Sequence, residues 1–213
     1  LPKVSRMTRM KQMDAVKRHI RLSMELVMCM VCAMAFGLAA VAVNFAPLFY
    51  GDDFAYSGTL MMPLAFTLLS IGFANVIRTQ WVLPQGRDTI FVHSVLTGAV
   101  INLIANFVLI PPFGAMGAAA ATVLAEFSVP AVQFVYLRKE LPYAQYLKTT
   151  GVYCLFGLVM AGVVALLGYV LPLHGWGKLA VQVTGGAAVY GALCLTYWKL
   201  AKRSDIFRLM RRK

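Results

Sequence analysis

The sequence predicts an all-α integral membrane protein: a bundle of six transmembrane helices with both termini on the cytoplasmic side. Three observations lead there. Of 213 residues, 60% are hydrophobic and only 13% charged, against about 25% charged in soluble domains. The mean hydropathy is +0.73, and the apolar residues come in long blocks, each near the roughly 20 residues that a helix needs to cross a bilayer core. The basic residues are also segregated. With six crossings, all of the 20 Lys and Arg except Lys178 fall on one side: the arm from Lys3 to Arg21, Arg78 and Arg87, Arg138, Lys139 and Lys148, and the tail from Lys199 onward. The positive-inside rule makes that side cytoplasmic.

The elements follow in order. Residues 1–21 read as a basic cytoplasmic segment, with Met7, Met10 and Met13 three apart among Lys and Arg, the pattern of an amphipathic helix lying in the headgroup plane. The bundle occupies 22–198, with spans at about 22–46, 56–79, 90–111, 115–137, 149–171 and 179–198. The breaks carry turn chemistry: Gly51-Asp52-Asp53, Pro84-Gln85-Gly86, Pro111-Pro112 with Gly114, Lys139-Glu140-Leu141-Pro142, and His174-Gly175-Trp176-Gly177. Gly58, Pro63 and Gly72 predict a bend or break in the second span. Residues 199–213 form a basic cytoplasmic tail.

Several function classes drop out at once. The net charge of +12 is spent on topology and on anionic lipid headgroups, so it does not speak for nucleic acid. The loops are too short for a soluble lobe, so any chemistry lies inside the bundle or at its rims. Cys29-x-x-Cys32 has the spacing of a metal or redox pair, but no second ligand pair accompanies it. With Cys154 and Cys194 these thiols read as small buried apolar residues. No metal site and no catalytic residue is expected. His93 and His174 near the interfaces read as structural, and Arg21 and Glu25, four apart at the membrane edge, as a local ion pair.

The polar residues inside the apolar blocks are the candidate site. Ser94, Gly98, Asn102 and Asn106 form one stripe on the third span. Gly114, Ala118, Thr122 and Glu126 form the matching stripe on the fourth. Small residues at that spacing let helices approach closely in lipid. At ~1.5 Å rise per residue, Asn102 lies about 18 Å from the cytoplasmic end of its helix and Glu126 about 16 Å from the outer end of the next. Both fall near mid-bilayer, which predicts an Asn102–Glu126 contact, with Asn106 nearer Thr122. The amides either fix helix register by bonding one another or face a pathway. A carboxylate at that depth costs about 2.5–3.5 kcal/mol, so Glu126 calls for a proton, a cation or a watery cavity. Arg78 and Gln80 close the second span. Arg78 either snorkels to the interface or meets an anionic headgroup with its forked donors.

The run Gln80-x-x-x-Pro84-x-Gly86-Arg87, then Gly98-Ala99-x-x-Asn102-x-x-x-Asn106, Ile110-Pro111, and Gly114-x-x-Gly117-Ala118-Ala119-x-Ala121-Thr122 with Glu126 resembles the polysaccharide-export flippases. That superfamily also contains the MATE drug exporters and the lipid II flippase. Leu1-Pro2 with Val4-Ser5 looks like the end of the family's eighth helix, so the six spans would be helices nine to fourteen and an N-terminal half is expected upstream. The resemblance covers the whole chain but is specific between residues 80 and 126.

It implies the C-terminal half of a multi-pass transporter in a bacterial cytoplasmic membrane. The implied cargo is an undecaprenyl-pyrophosphate-linked oligosaccharide, moved by alternating access for capsule, O-antigen, teichoic acid or exopolysaccharide assembly. No cofactor is implied; coupling to H⁺ or Na⁺ is the energy source open to it. The candidate pathway residues are Glu126, Asn102, Asn106, Thr122, Arg78 and Gln80. This half offers no basic residue at mid-membrane. Two other readings stand beside it: a cation-coupled multidrug exporter in which Glu126 binds H⁺ or Na⁺, and a membrane-embedded enzyme acting on lipid-linked sugars. The enzyme would call for long outer loops rich in acids, Arg or His, where only Asp52, Asp53 and His174 are found.

Overall fold

In a computed structural model, residues 13–200 are described and are almost wholly helical. Of the basic arm only 13–21, and of the tail only Lys199 and Leu200, fall within them; Leu1-Pro2, Met7, Met10 and the rest of the tail lie outside. Helix α1 runs from Met13 to Tyr50. After a short turn at Asp52–Phe54 come α2 (Ala55–Ala65) and α3 (Thr67–Ile77). A π-helical turn, Arg78–Val82, and a 3₁₀ turn, Leu83–Gln85, lead to α4 (Asp88–Leu137). Helices α5 (Tyr143–Val170) and α6 (Gly175–Leu200) complete the fold.

Five stretches are long and apolar enough to cross a membrane: Met13–Tyr50, Asp52–Gln85, Asp88–Leu137, Tyr143–Val170 and Gly175–Leu200. The six spans expected from the sequence map onto these five, because 90–111 and 115–137 both fall in α4. That element is not straight. Gly114, at φ 55° and ψ −131°, leaves the helical region, a conformation open to glycine because it has no Cβ. Gly98 and Val129 would lie about 46 Å apart along a straight helix. Instead, a Cβ placed on Gly98 would meet Val129 Cγ2 at 3.2 Å and Ala125 O at 3.3 Å. The chain therefore folds back at Gly114 into two packed arms. Gly117 makes the fold-back possible, since a Cβ there would lie 2.1 Å from Leu109 O.

The second span breaks where the sequence suggested. Helices α2 and α3 meet at Phe66, whose N–H reaches Pro63 O at 3.2 Å. The Thr67 hydroxyl covers Leu64 O at 2.7 Å.

Helix α1 is central and packs against α2, α3, α5 and α6. Val16, Ile20, Met24, Met28 and Cys32 recur every four residues and are fully buried, one continuous face against the bundle. Polar side chains tie this packing together. Gln182 on α6 accepts from Asn44 on α1 at 3.4 Å and donates to Val164 O on α5 at 3.1 Å. The Tyr190 hydroxyl donates to Cys29 O at 2.7 Å. In lipid such bonds contribute about 0.6 kcal/mol each.

Glu25 differs from expectation. Rather than sitting in an edge pair with Arg21, it is 1% exposed and accepts from the Tyr153 hydroxyl at 3.2 Å, while Trp198 Nε1 donates to that hydroxyl at 2.9 Å. The four-residue spacing put Arg21 within reach, but Glu25 lies next to the inward Met24–Met28 stripe, and the polar ring edges of α5 and α6 meet it there.

Candidate functional site

Helix α4 rests on α2, α3 and the π-helical turn rather than on the central bundle. Between it and α3 lies a cavity of about 480 Å³. Its walls are Ile71, Ala74, Phe91, Val95 and Val129, with Gly98, Ala99 and Ala125 giving it room. Six polar side chains enter it: Asn75, Arg78, Asn102, Thr122, Glu126 and Gln133. From Phe91 to Asn102 is about 16 Å along the helix, so the cavity runs from the Arg78 end toward the middle of α4.

Four of the six residues expected from the sequence line this space: Arg78, Asn102, Thr122 and Glu126. Asn102 and Glu126, expected to make contact, line the same cavity, with no hydrogen bond between their side chains among the described residues. Asn106 Nδ2 donates to Asn102 Oδ1 at 2.9 Å, and the Thr122 hydroxyl donates to Ala118 O at 3.0 Å. Amides four apart on one helix face reach each other more easily than across a cavity. Gln80 is not part of the cavity lining; its Oε1 is buried with no hydrogen-bond partner among the described residues.

Arg78 is turned inward. Its guanidinium carbon lies 4.7 Å from the centre of the Phe91 ring, a cation–π contact, and its Nε is buried without a hydrogen-bond partner among the described residues. The π-helical turn that begins at Arg78 is a feature often found at functional sites. Gln133, 1% exposed, lines the same cavity with Oε1 equally unpartnered. Leaving such atoms buried and unpaired costs about 1–3 kcal/mol each, and a polar ligand would remove that cost. Sequence reasoning missed Gln133, although it lies seven residues after Glu126 on the same arm, two helical turns further along. Asn75, three residues before Arg78, was a second available signal.

The Glu126 carboxylate forms no ion pair or hydrogen bond within the described residues. Its main-chain carbonyl accepts from Ser70 Oγ, which ties α3 to the second arm of α4. Within the described residues, one cavity thus holds a guanidinium and a carboxylate without an ion-pair partner, and three amides. Such a set can hydrogen-bond hydroxyls and meet either sign of charge. Among the described residues no group of three or more His, Cys, Asp or Glu could hold a metal.

The base of α4 is closed by charge. Arg87 Nη1 lies 2.8 and 2.7 Å from Glu140 Oε1 and Oε2, and Trp81 Nε1 donates to Oε2 at 3.0 Å. Burial pushes the Glu140 carboxyl up, but the Arg87 and Trp81 hydrogen bonds, with the charges of Arg87 and Lys17, bring its pKa below the usual value. Near the same base, His93 Nδ1 and the Tyr136 hydroxyl lie 3.1 Å apart and join the two arms.

Long apolar helices enclosing a polar cavity define a multi-pass membrane protein. The family model described as MurJ, the lipid II flippase, matches residues 1–185, and the chain belongs to that family. It is 23% identical over 197 residues to the probable low-salt glycan biosynthesis flippase Agl15 of Haloferax volcanii, a match that covers 92% of this chain and 41% of Agl15. Its fold matches that of the lipid II flippase MurJ in an inward closed conformation, with a TM-score of 0.76 and 15% identity over 92% of this chain and 41% of MurJ. The chain thus spans less than half the length of the relatives it matches.

Proposed function

We propose that this chain is the C-terminal half of a transporter that flips an undecaprenyl-pyrophosphate-linked oligosaccharide across a bacterial cytoplasmic membrane by alternating access, for assembly of a surface polysaccharide. Six crossings with both termini cytoplasmic are part of the proposal. The fold-back at Gly114 and the one-sided distribution of Lys and Arg support them. The upstream half of the same transporter and anionic lipid headgroups are its partners.

The observation that carries the reading is the cavity beside α4. A diphosphate-sugar headgroup needs donors and acceptors away from hydrocarbon, and none of its polar groups can be left bare there. Arg78, with a forked donor set suited to phosphate oxygens, stands at the end toward the basic loops. Asn102, Thr122, Glu126 and Gln133 continue the polar lining with groups that bond sugar hydroxyls; Asn106 holds Asn102 in place, and Gln80 stands outside.

The deciding experiment uses the full-length protein and follows lipid-linked saccharide in each leaflet. Arg78→Met and Glu126→Gln are each expected to slow its outward appearance tenfold or more, at normal protein levels. Unchanged transport in both variants would falsify the assignment of this cavity to the pathway.

One observation favours a second reading. Among the described residues Glu126 has no ion-pair partner, and it stands in a cavity with largely apolar walls, as a cation-coupled exporter requires; its carboxylate would then bind H⁺ or Na⁺ in exchange for an organic solute. In that case Glu126→Gln abolishes ion-driven efflux of an amphiphilic cation, whereas Arg78→Met leaves it intact.

A further inference from the structure

The four cysteines, read from the sequence as inert apolar residues, are arranged in two facing pairs. Cys29 Sγ on α1 lies 3.6 Å from Cys194 Sγ on α6. One turn further along α1, Cys32 Sγ lies 3.7 Å from Cys154 Sγ on α5. We infer that Cys29–Cys194 and Cys32–Cys154 are two disulfide-forming pairs, a redox-controlled tether that fastens α1 to α6 and to α5 within the membrane.

Distance carries the first part of the argument. A disulfide needs its sulfurs about 2.05 Å apart, so each pair must close by roughly 1.6 Å, which small side-chain rotations supply. Position carries the second. On the spans expected from the sequence (22–46, 149–171 and 179–198), Cys29 lies seven residues from the start of its span, Cys154 five from the start of its own, and Cys194 four from the end of its own, which places all three about 6–10 Å below the same face. Access carries the third: Cys32 and Cys194 are buried, but each faces a half-buried partner, Cys154 or Cys29. Each pair therefore has one cysteine that is not fully buried, the side from which a small molecule in the lipid would approach. Cys29 and Cys32, on one helix, would constrain nothing by joining each other. Each is aimed instead at a different helix.

The chemistry needs a two-electron oxidant that dissolves in lipid, and a quinone has both properties. In each pair two S–H bonds break and one S–S bond forms; the two electrons and two protons pass to the quinone, which becomes a hydroquinone. A dithiol reductant reverses the step by exchange. The result joins helices whose cysteines are 165 and 122 positions apart, so the last two helices can no longer move away from α1.

The full-length protein in membrane vesicles is treated with a short-chain ubiquinone, its remaining thiols are alkylated with N-ethylmaleimide, and non-reduced peptides are mapped by mass spectrometry. Peptides linked through Cys29–Cys194 and Cys32–Cys154 are expected, with all four positions losing the alkyl label and regaining it after dithiothreitol. Cys194→Ser is expected to return the label to Cys29 and leave the Cys32–Cys154 link intact. If that variant does not accumulate, Cys154→Ala gives the mirror result, with Cys32 labelled and Cys29–Cys194 still linked. Full alkylation of all four thiols after both the quinone and the water-soluble oxidant diamide overturns the inference, as does a Cys29–Cys32 link.

Discussion

Asn106 donates to Asn102 at 2.9 Å along a single face of α4, so the two amides meet each other rather than the acid across the cavity. This leaves Asn102 with its own N–H groups for a ligand and fixes the direction in which they point. A double-mutant cycle through Asn102→Ala and Asn106→Ala should give a coupling of about 0.6 kcal/mol in thermal unfolding, the usual size of a side-chain hydrogen bond in lipid. The two residues should separate in transport. Asn106→Ala leaves the cavity lining complete and is expected to lower the rate less than Asn102→Ala does. Equal losses would place Asn106 in contact with the cargo.

Gly114 and Gly117 together make the turn of α4. Any side chain at position 114 must take up φ 55° with ψ −131°, which costs about 1–3 kcal/mol. A methyl group at 117 would meet the main-chain oxygen of Leu109 at 2.1 Å, and backbone gives way less readily than a side-chain tip. Gly114→Ala and Gly117→Ala are each expected to lower the melting temperature in detergent, and Gly117→Val to prevent accumulation. Gly151, with no atom within 4 Å of an added Cβ, is the matched control and should accept Ala without loss.

Much of this was legible in the sequence, and what was not has physical reasons. The turn at Gly114, the break near Pro63 and the small-residue stripes are local signals, because proline, glycine and spacing act over a few residues. The matching depth of Asn102 and Glu126 followed from helix rise alone, and both line the cavity. Partners across helices were harder. Spacing suggested Arg21 for Glu25, yet Tyr153 and Trp198 occupy that position from 128 residues away and beyond. Gln133 went unseen because one glutamine near a helix end carries no signal until the opposite wall is known. The cysteine pairs were invisible for the same reason: Cys29-x-x-Cys32 advertises a pairing along one helix that the fold does not use.

Arg87 and Glu140 clamp the two ends of α4, and their pair is pH-dependent. The Glu140 carboxyl has its pKa lowered in the folded protein from 4.5, so the folded state binds this proton less readily than the unfolded chain. The stabilisation is complete above about pH 4.5 and disappears as the pH falls through the lower folded value. With both side chains 35% exposed, solvent holds the contribution to about 0.5–1 kcal/mol. Thermal unfolding between pH 3 and 7 should show wild type and Glu140→Gln converging at the acid end and separating at neutral pH. A constant gap across that range would assign the effect of the substitution to packing.

Tyr153 joins three helices through one hydroxyl, which accepts from Trp198 on α6 at 2.9 Å and donates to Glu25 on α1 at 3.2 Å. The tyrosine is fully buried and Glu25 nearly so, so water cannot replace the hydroxyl. Tyr153→Phe keeps the ring and its contacts with Phe156 and Tyr197 but removes a donor from Glu25 and an acceptor from Trp198. The expected cost is about 1–3 kcal/mol, the penalty of stripping a partner from buried polar groups. Trp198→Phe deletes the donor without stranding an acceptor, because the Tyr153 hydroxyl still bonds to Glu25, and should cost less than Tyr153→Phe once the smaller ring is allowed for by Trp198→Leu. Glu25→Gln preserves the acceptor and is expected to be the mildest of the set. Denaturation in one detergent ranks the variants, and a Glu25→Gln loss larger than that of Tyr153→Phe would show that the charge of Glu25, rather than its hydrogen bond to Tyr153, holds α1 to α5.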